Sequence, residues 1–212
     1  MLNNITINCH SSIKITTPQG LIIYFDPYNL DKEIFDADYI FLTHNHYDHF
    51  DPSSIAKIQK TSTKFVFPLS MEADFQKNYP DLKDNLLVVP NASYQLDTLK
   101  ITTIPSYNIV KKYHPQSQNW VGYLLTIADE TIYVAGDTDN LPELNNLTCD
   151  IALVPIGGTY TMDYREAANL VNHIKPQLVI PTHYGSITGQ IADGQKFANL
   201  LDPNIKCQLL IK

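Results

Sequence analysis

At 212 residues, 44% of them hydrophobic, the chain is long enough to enclose a substantial core as a single domain spanning 1–212. Lys and Arg number 15 against 22 Asp and Glu, a net charge of -7 with no basic stripe, which argues against a broad electrostatic footprint for nucleic acid. The three cysteines, Cys9, Cys149 and Cys207, lie far apart and never form a Cys-x-x-Cys pair, so they point to small buried hydrophobes rather than to a disulfide framework or a thiolate metal site.

In chain order, Met1 to Thr6 carry neither a basic leader nor an apolar stretch of signal-peptide length, and no later run approaches a membrane span. The expectation is a cytoplasmic location with no membrane partner. Short apolar or alternating runs then recur at 5–9, 12–16, 21–25, 39–42, 64–67, 86–89, 99–104, 121–127, 131–135, 151–155, 178–181 and 205–211. Their length, β-branched content and flanking turn residues predict strands. Helix-like stretches cover 52–60, 70–78, 163–174 and 191–201. In the third, Asp163 and Glu166 have capping-box spacing, Ala167, Leu170, Val171 and Ile174 share one face, and Pro176 follows as a stop signal. Runs such as Ile151-Ala152-Leu153-Val154 are apolar throughout and want cover on both faces, so the pattern predicts an α/β protein with two sheets and helices outside. The two halves are loosely similar in layout, without sequence identity that would demonstrate duplication.

The chemistry concentrates in Thr43-His44-Asn45-His46-Tyr47-Asp48-His49, three imidazoles and a carboxylate spaced His-x-His-x-Asp-His. Imidazole nitrogen and carboxylate oxygen are the donor set for zinc and its first-row neighbours, whereas the same cluster without metal would repel itself once protonated. It follows the buried-strand pattern Asp38-Tyr39-Ile40-Phe41-Leu42, so its residues leave the carboxyl end of a strand. Two further strands end the same way: Ile132-Tyr133-Val134-Ala135 runs into Gly136-Asp137-Thr138-Asp139, and Leu178-Val179-Ile180-Pro181 into Thr182-His183-Tyr184-Gly185.

The order His-x-His-x-Asp-His, Gly-Asp-Thr, Pro-Thr-His-Tyr resembles the metallo-β-lactamase superfamily of metal-dependent hydrolases. It is most similar to the small stand-alone branch with ascorbate-phosphate lactonase-like and phosphodiesterase-like members. Phe25-Asp26-Pro27, Val154-Pro155-Ile156-Gly157-Gly158 and Tyr160-Thr161-Met162 extend the likeness over nearly the whole chain. The resemblance implies a four-layer αββα sandwich and two divalent metal ions, zinc first, with manganese or iron also suited to nitrogen and oxygen donors. It implies that His44 and His46 hold one ion, that Asp48, His49 and His183 hold the other, and that Asp137 bridges them. Water activated by the metal pair would be the nucleophile, and Asp48 the catalytic residue that holds or accepts its proton. The family usually supplies a third histidine to the first ion after a strand ending in Pro; here Ile104-Pro105-Ser106-Tyr107-Asn108 has Asn at that place. Either His114, six residues on, takes the role, or Asn108 leaves the first ion weakly held.

Each weaker signal has a plainer reading. Alone, Asp137 reads as a turn aspartate and His183 as a satisfied histidine at a strand end, and the company of the main cluster is what turns both into ligands. His10 is either a donor behind the metals or a structural histidine, and His173 complements a helix end. With 13 tyrosines in the chain, Tyr28, Tyr47, Tyr107, Tyr160 and Tyr184 read by default as core or rim. Gly157-Gly158 is either a close backbone approach to a ligand or a simple turn.

The resulting expectation is a metal-dependent hydrolase acting on an ester, lactone or phosphodiester of a small, anionic molecule. An RNA-processing nuclease of the same fold is the competing enzyme, opposed by the acidic balance and the lack of a basic module. A metal-binding or sensing protein without hydrolytic turnover is the competing non-enzyme, and the Asn108 departure gives it weight. Neither the substrate nor the oligomeric state is readable from the sequence.

Overall fold

In each half of the chain an antiparallel meander is continued by parallel strands. The structure, a computed structural model, describes residues 4–127 and 129–212, so Met1 to Asn3 of the opening stretch lie outside the described residues. The chain divides into two compact units, Met1–Val89 and Pro90–Lys212.

In the first unit, β1 (Ile5–Cys9), β2 (Ser12–Thr16) and β3 (Ile22–Phe25) pair antiparallel in sequence order. From β3 onward, β4 (Ala37–Phe41), β5 (Gln59–Pro68) and β6 (Leu86–Val88) add in parallel. Parallel neighbours need a crossover, and α1 (Pro52–Ile58) and α2 (Glu72–Asn78) lie in two of them. Tyr24, Ile40, Leu42, Phe65 and Phe67 fall at two-residue spacing on one face and cluster with Ile55 and Ile58 of α1 and Phe75 of α2, all buried. The Phe67 and Phe75 rings stack with centroids 4.2 Å apart.

The sequence pattern carried α1 to Lys60, but the helix stops at Ile58. Ile34 N and Phe35 N donate to Lys57 O at 2.8 and 3.0 Å, taking a last-turn carbonyl that would otherwise lack a partner. Gln59 is already extended, so β5 starts five residues before the predicted strand.

The second unit repeats the plan. Strands β7 (Ser93–Leu96), β8 (Leu99–Pro105), β9 (Val121–Ile127) and β10 (Glu130–Val134) are antiparallel neighbours. Strands β11 (Ile151–Pro155), β12 (Leu178–Thr182) and β13 (Lys206–Cys207) then continue in parallel. The sequence pattern missed β7, whose only apolar side chains, Tyr94 and Leu96, are half-buried. Leu96 pairs with Leu99 across a two-residue turn in which Asp97 takes φ 52°, a conformation Asp tolerates better than most residues.

All five residues of β11 are buried, as its unbroken apolar run requires. Helix α3 (Tyr164–Ile174) has the expected capping box: Asp163 accepts from Glu166 N while Glu166 accepts from Asp163 N. Its buried face, Ala167, Leu170, Val171 and Ile174, belongs to one cluster with Ala152 and Val154 of β11, Val179 of β12 and Phe197 of α4 (Ile191–Ala198). No helix among the described residues is long and apolar enough to cross a membrane.

Strand direction decides where the polar loops emerge. Parallel β3 and β4 release Asp26 and Thr43 to His49 at one edge of the first sheet. In the second sheet β8 and β10 are both antiparallel to β9, and β11 and β12 are parallel to β10, so the segments after all four strands leave a common edge.

Candidate metal centre

In the first unit the loop after β4 is held at both ends. His49 N and Phe50 N donate to His46 O at 3.0 and 2.8 Å, and Asp51 then caps α1, accepting from Ser53 N, Ser53 Oγ and Ser54 Oγ. Between these anchors the imidazoles crowd together. His44 Nε2 and His46 Nδ1 are 3.0 Å apart, and the His44 and His49 ring centroids 4.0 Å. The ligand atoms of His44 with His46, of His44 with His49, and of His10 with Asp48 each lie within 4.8 Å. Asp48 Oδ2 is 3.4 Å from His10 Nε2 and 3.7 Å from His49 Nε2.

Behind this loop sits Asp26, 1% exposed. It accepts from Thr43 N at 2.8 Å and Thr43 Oγ1 at 2.7 Å, and its Oδ2 is 2.7 Å from His49 Nδ1. Burial pushes its carboxyl above the ordinary value, against the lowering effect of His49 and the Thr43 bonds. With Nδ1 of His49 committed to Asp26, Nε2 is the nitrogen turned toward Asp48. Asp26 and His10 take φ 45° and 53°, left-handed conformations that Asp and His adopt more readily than most residues, where the chain turns out of β3 and β1.

In the second unit three separate loops converge. Asp137 Oδ2 lies 3.2 Å from His114 Nε2 and 3.0 Å from His183 Nε2, and the three side chains are buried. The loops are stitched together: Ser106 Oγ donates to Asp137 O at 2.9 Å, and Asp139 N to Tyr107 O at 3.0 Å. His183 sits at φ 57° with Gly157 pressed against it. A β-carbon at Gly157 would overlap the His183 carbonyl oxygen and Thr188 Cγ2, so the glycine is needed for close approach to a histidine.

The donor chemistry fits divalent cations. Ligands about 2.0–2.2 Å from a shared tetrahedral ion sit roughly 3.4 Å from one another. The separations of His44 from His46, of Asp48 from His49, and of Asp137 from His114 and His183 run from 3.0 to 3.7 Å. Imidazole nitrogen and carboxylate oxygen can both turn lone pairs toward such a point, and at these distances a shared cation would stabilise them.

The structure brings His44, His46, Asp48 and His49 together in the first unit, and His114, Asp137 and His183 in the second. Of the two residues weighed for the missing histidine, His114 faces Asp137, while Asn108 is turned onto His114 itself. His10 proves to be a partner of Asp48, and His173 bonds Asn145 O at 2.9 Å in a structural role. Among the tyrosines, Tyr184 is core at 1% exposure and Tyr47 is exposed at 65%. Asp26, within Phe25-Asp26-Pro27, has no role legible in the sequence beyond that of a lone acidic residue at the end of an apolar strand.

Comparison with known proteins gives the chain's relatives. A family model described as a beta-lactamase superfamily domain matches residues 4–183. A UPF0173 protein of Pyrococcus abyssi is 34% identical over 197 residues, covering 88% of this chain and 86% of that one. A UPF0173 metal-dependent hydrolase of Thermococcus onnurineus is 33% identical over 175 residues, covering 80% and 76%. Among solved structures, a protein assigned as a metal-dependent hydrolase from Parabacteroides distasonis superposes with a TM-score of 0.81 at 28% identity, covering 98% of this chain and 93% of that one.

Proposed function

Given that the chain belongs to the beta-lactamase superfamily of metal-dependent hydrolases, with its α/β metallo-β-lactamase fold, we propose that it cleaves an ester, lactone or phosphodiester bond of a small anionic molecule. In this reading, which follows the family resemblance, His44, His46 and His114 would hold one divalent ion and Asp48, His49 and His183 a second, with Asp137 as a carboxylate common to the centre. Zinc suits these donors best, with manganese and iron as the other candidates. When bound, such ions polarise a carbonyl or phosphoryl oxygen and lower the pKa of water toward neutrality.

The observation that carries the reading is the orientation of buried histidines from behind. His49 and His114 each give Nδ1 to a neighbouring oxygen, that of Asp26 and of Asn108, and each turns Nε2 toward a carboxylate, that of Asp48 and of Asp137. An oxygen on Nδ1 with Nε2 facing a carboxylate is the arrangement that fixes the ring of a metal-holding histidine. Asp48, the least enclosed of the seven apart from His46, is the group assigned to hold the proton of the attacking water. His10 Nε2 stands 3.4 Å from its Oδ2.

Two carboxylates against two dications leave the centre net positive, which favours a carboxylate or phosphoryl group on the substrate. The net charge of -7 favours a small anion over RNA, and the same reading treats the two units as one catalytic domain in the cytoplasm. Support for one domain comes from the family match, which runs from residue 4 to 183 across the unit boundary.

Metal analysis of the purified protein, followed by a screen of lactones, phosphomonoesters, phosphodiesters, thioesters and RNA, tests the proposal. Two ions per chain, and activity on one ester-type bond that disappears in Asp48→Ala, are expected. Less than one ion per chain after incubation with zinc, manganese or iron sinks the dinuclear reading. Metal without turnover on any of these substrates would make the protein a binding module instead.

A further inference from the structure

Asn108 stands where the family usually has a histidine, and its side chain makes four hydrogen bonds, three of which together admit one orientation. Its Nδ2 donates to Asp139 Oδ1 at 3.1 Å and to Tyr160 O at 2.9 Å, and neither oxygen can donate in return. Asp139 is held as an acceptor on both sides, by Ile109 N at 2.9 Å and Lys111 Nζ at 2.7 Å. Turning the amide over would set Oδ1 against a carboxylate and a carbonyl, and Nδ2 against the His114 backbone N–H. The oxygen of Asn108 therefore faces His114.

That oxygen accepts from His114 N at 3.1 Å and from Nδ1 at 3.0 Å, while Asn108 N donates to His114 O at 2.7 Å. Asn108 thus clasps the residue six positions on by its backbone and side chain at once. An oxygen that only accepts calls for a proton on Nδ1, and Nε2, 3.2 Å from Asp137 Oδ2, is then the nitrogen whose lone pair a cation between the two would take. We propose that Asn108 is a positioning residue that locks His114 in the Nδ1–H tautomer and so makes it a metal ligand, replacing the usual histidine by a histidine held at one remove. Asp139, the second carboxylate of Gly136-Asp137-Thr138-Asp139, serves as the anchor that orients Asn108 and ties the loop after β8 to the loop after β10.

The inference rests on the metal reading for its purpose but not for its test. Nitrogen NMR of the full chain with labelled histidine, at a pH where imidazole is neutral, reads the His114 tautomer before and after metal removal. Zinc retention against a chelator gives a second readout. In the wild type the proton sits on Nδ1. Asn108→Leu, branched at the same atom but without an acceptor, should move it in large part to Nε2 once the metal is removed, the position isolated imidazole favours, and weaken zinc retention about 10- to 100-fold. Should the leucine variant fail to fold, Asn108→Ser, too short to reach Nδ1, carries the same expectation. An unchanged tautomer in the leucine or serine variant overturns the inference even if the protein binds metal well. A shifted tautomer in a chain without zinc affinity leaves the Asn108 lock standing and overturns the metal reading.

Discussion

The two histidine clusters are built in opposite ways. In the first unit His44, His46, Asp48 and His49 come from one loop of six residues between a strand end and a helix cap, and one buried carboxylate, Asp26, braces the loop from the neighbouring strand. In the second unit His114, Asp137 and His183 come from three loops, and a neutral amide, Asn108, does the bracing. The first arrangement is local and needs only β4 and its parallel neighbour β3. The second depends on the register of β8, β9, β10, β11 and β12, because a slip of any one would carry its residue off the shared edge. Local clusters bring ligands together cheaply, whereas dispersed ones make ligand geometry report on the integrity of a sheet.

The largest break in this contrast is Asp137→Ala. Its carboxylate is the meeting point of both histidines in the second cluster, so its loss should abolish turnover and release metal, read by metal content and activity together. Removing either brace should do less. Asp26→Asn keeps the shape but removes the charge behind His49, and metal retention should fall about 10- to 100-fold against a chelator, with folding retained. Equal retention in wild type and variant would show that the first loop holds its geometry without help.

Gly157→Ala probes the dispersed cluster through packing. The added methyl must displace the His183 carbonyl or Thr188, an overpacking cost of about 1–3 kcal/mol that should lower the melting temperature and weaken metal binding together. A fall in one without the other would separate sheet integrity from site geometry. The smallest effect belongs to the opposite edge of the second sheet, where Asp150 accepts from Thr131 N and Thr131 Oγ1. Asp150→Ala should cost about 1 kcal/mol, a drop of about 2–4 °C in melting temperature for a chain of this size, with metal content unchanged. The Thr131 bonds hold the Asp150 carboxyl below its ordinary 3.8, so its contribution is present above that pH and lost as pH falls further. The melting difference between wild type and variant should therefore shrink on acidification below about pH 3.8.

The same contrast explains which residues were legible in the chain. His44, His46, Asp48 and His49 announce themselves because spacing within a loop survives in the linear order. Asp137 and His183 are ordinary turn and strand-end residues until strands β10 and β12 run parallel on either side of β11, and only their order relative to the first cluster marked them. Strand β7 went unseen because its pairing with β8 depends on the Asp97 turn rather than on a strong apolar alternation, and the end of α1 was misplaced because residues 34 and 35 close it from a distance.

By itself, then, the sequence determined the α/β class, the capped helix α3, the ligand loop after β4 and the chemical type of the donors, since each is written in residues a few positions apart. Only the tertiary structure decided that Asp26 stands behind His49, that Gly157 makes room for His183, and that Asn108 holds His114 instead of replacing it. These three relations join residues 23, 26 and 6 positions apart through strand pairing and loop closure. Hydrogen bonds and close contacts of that kind depend on where folded segments meet, and no local spacing along the chain encodes them.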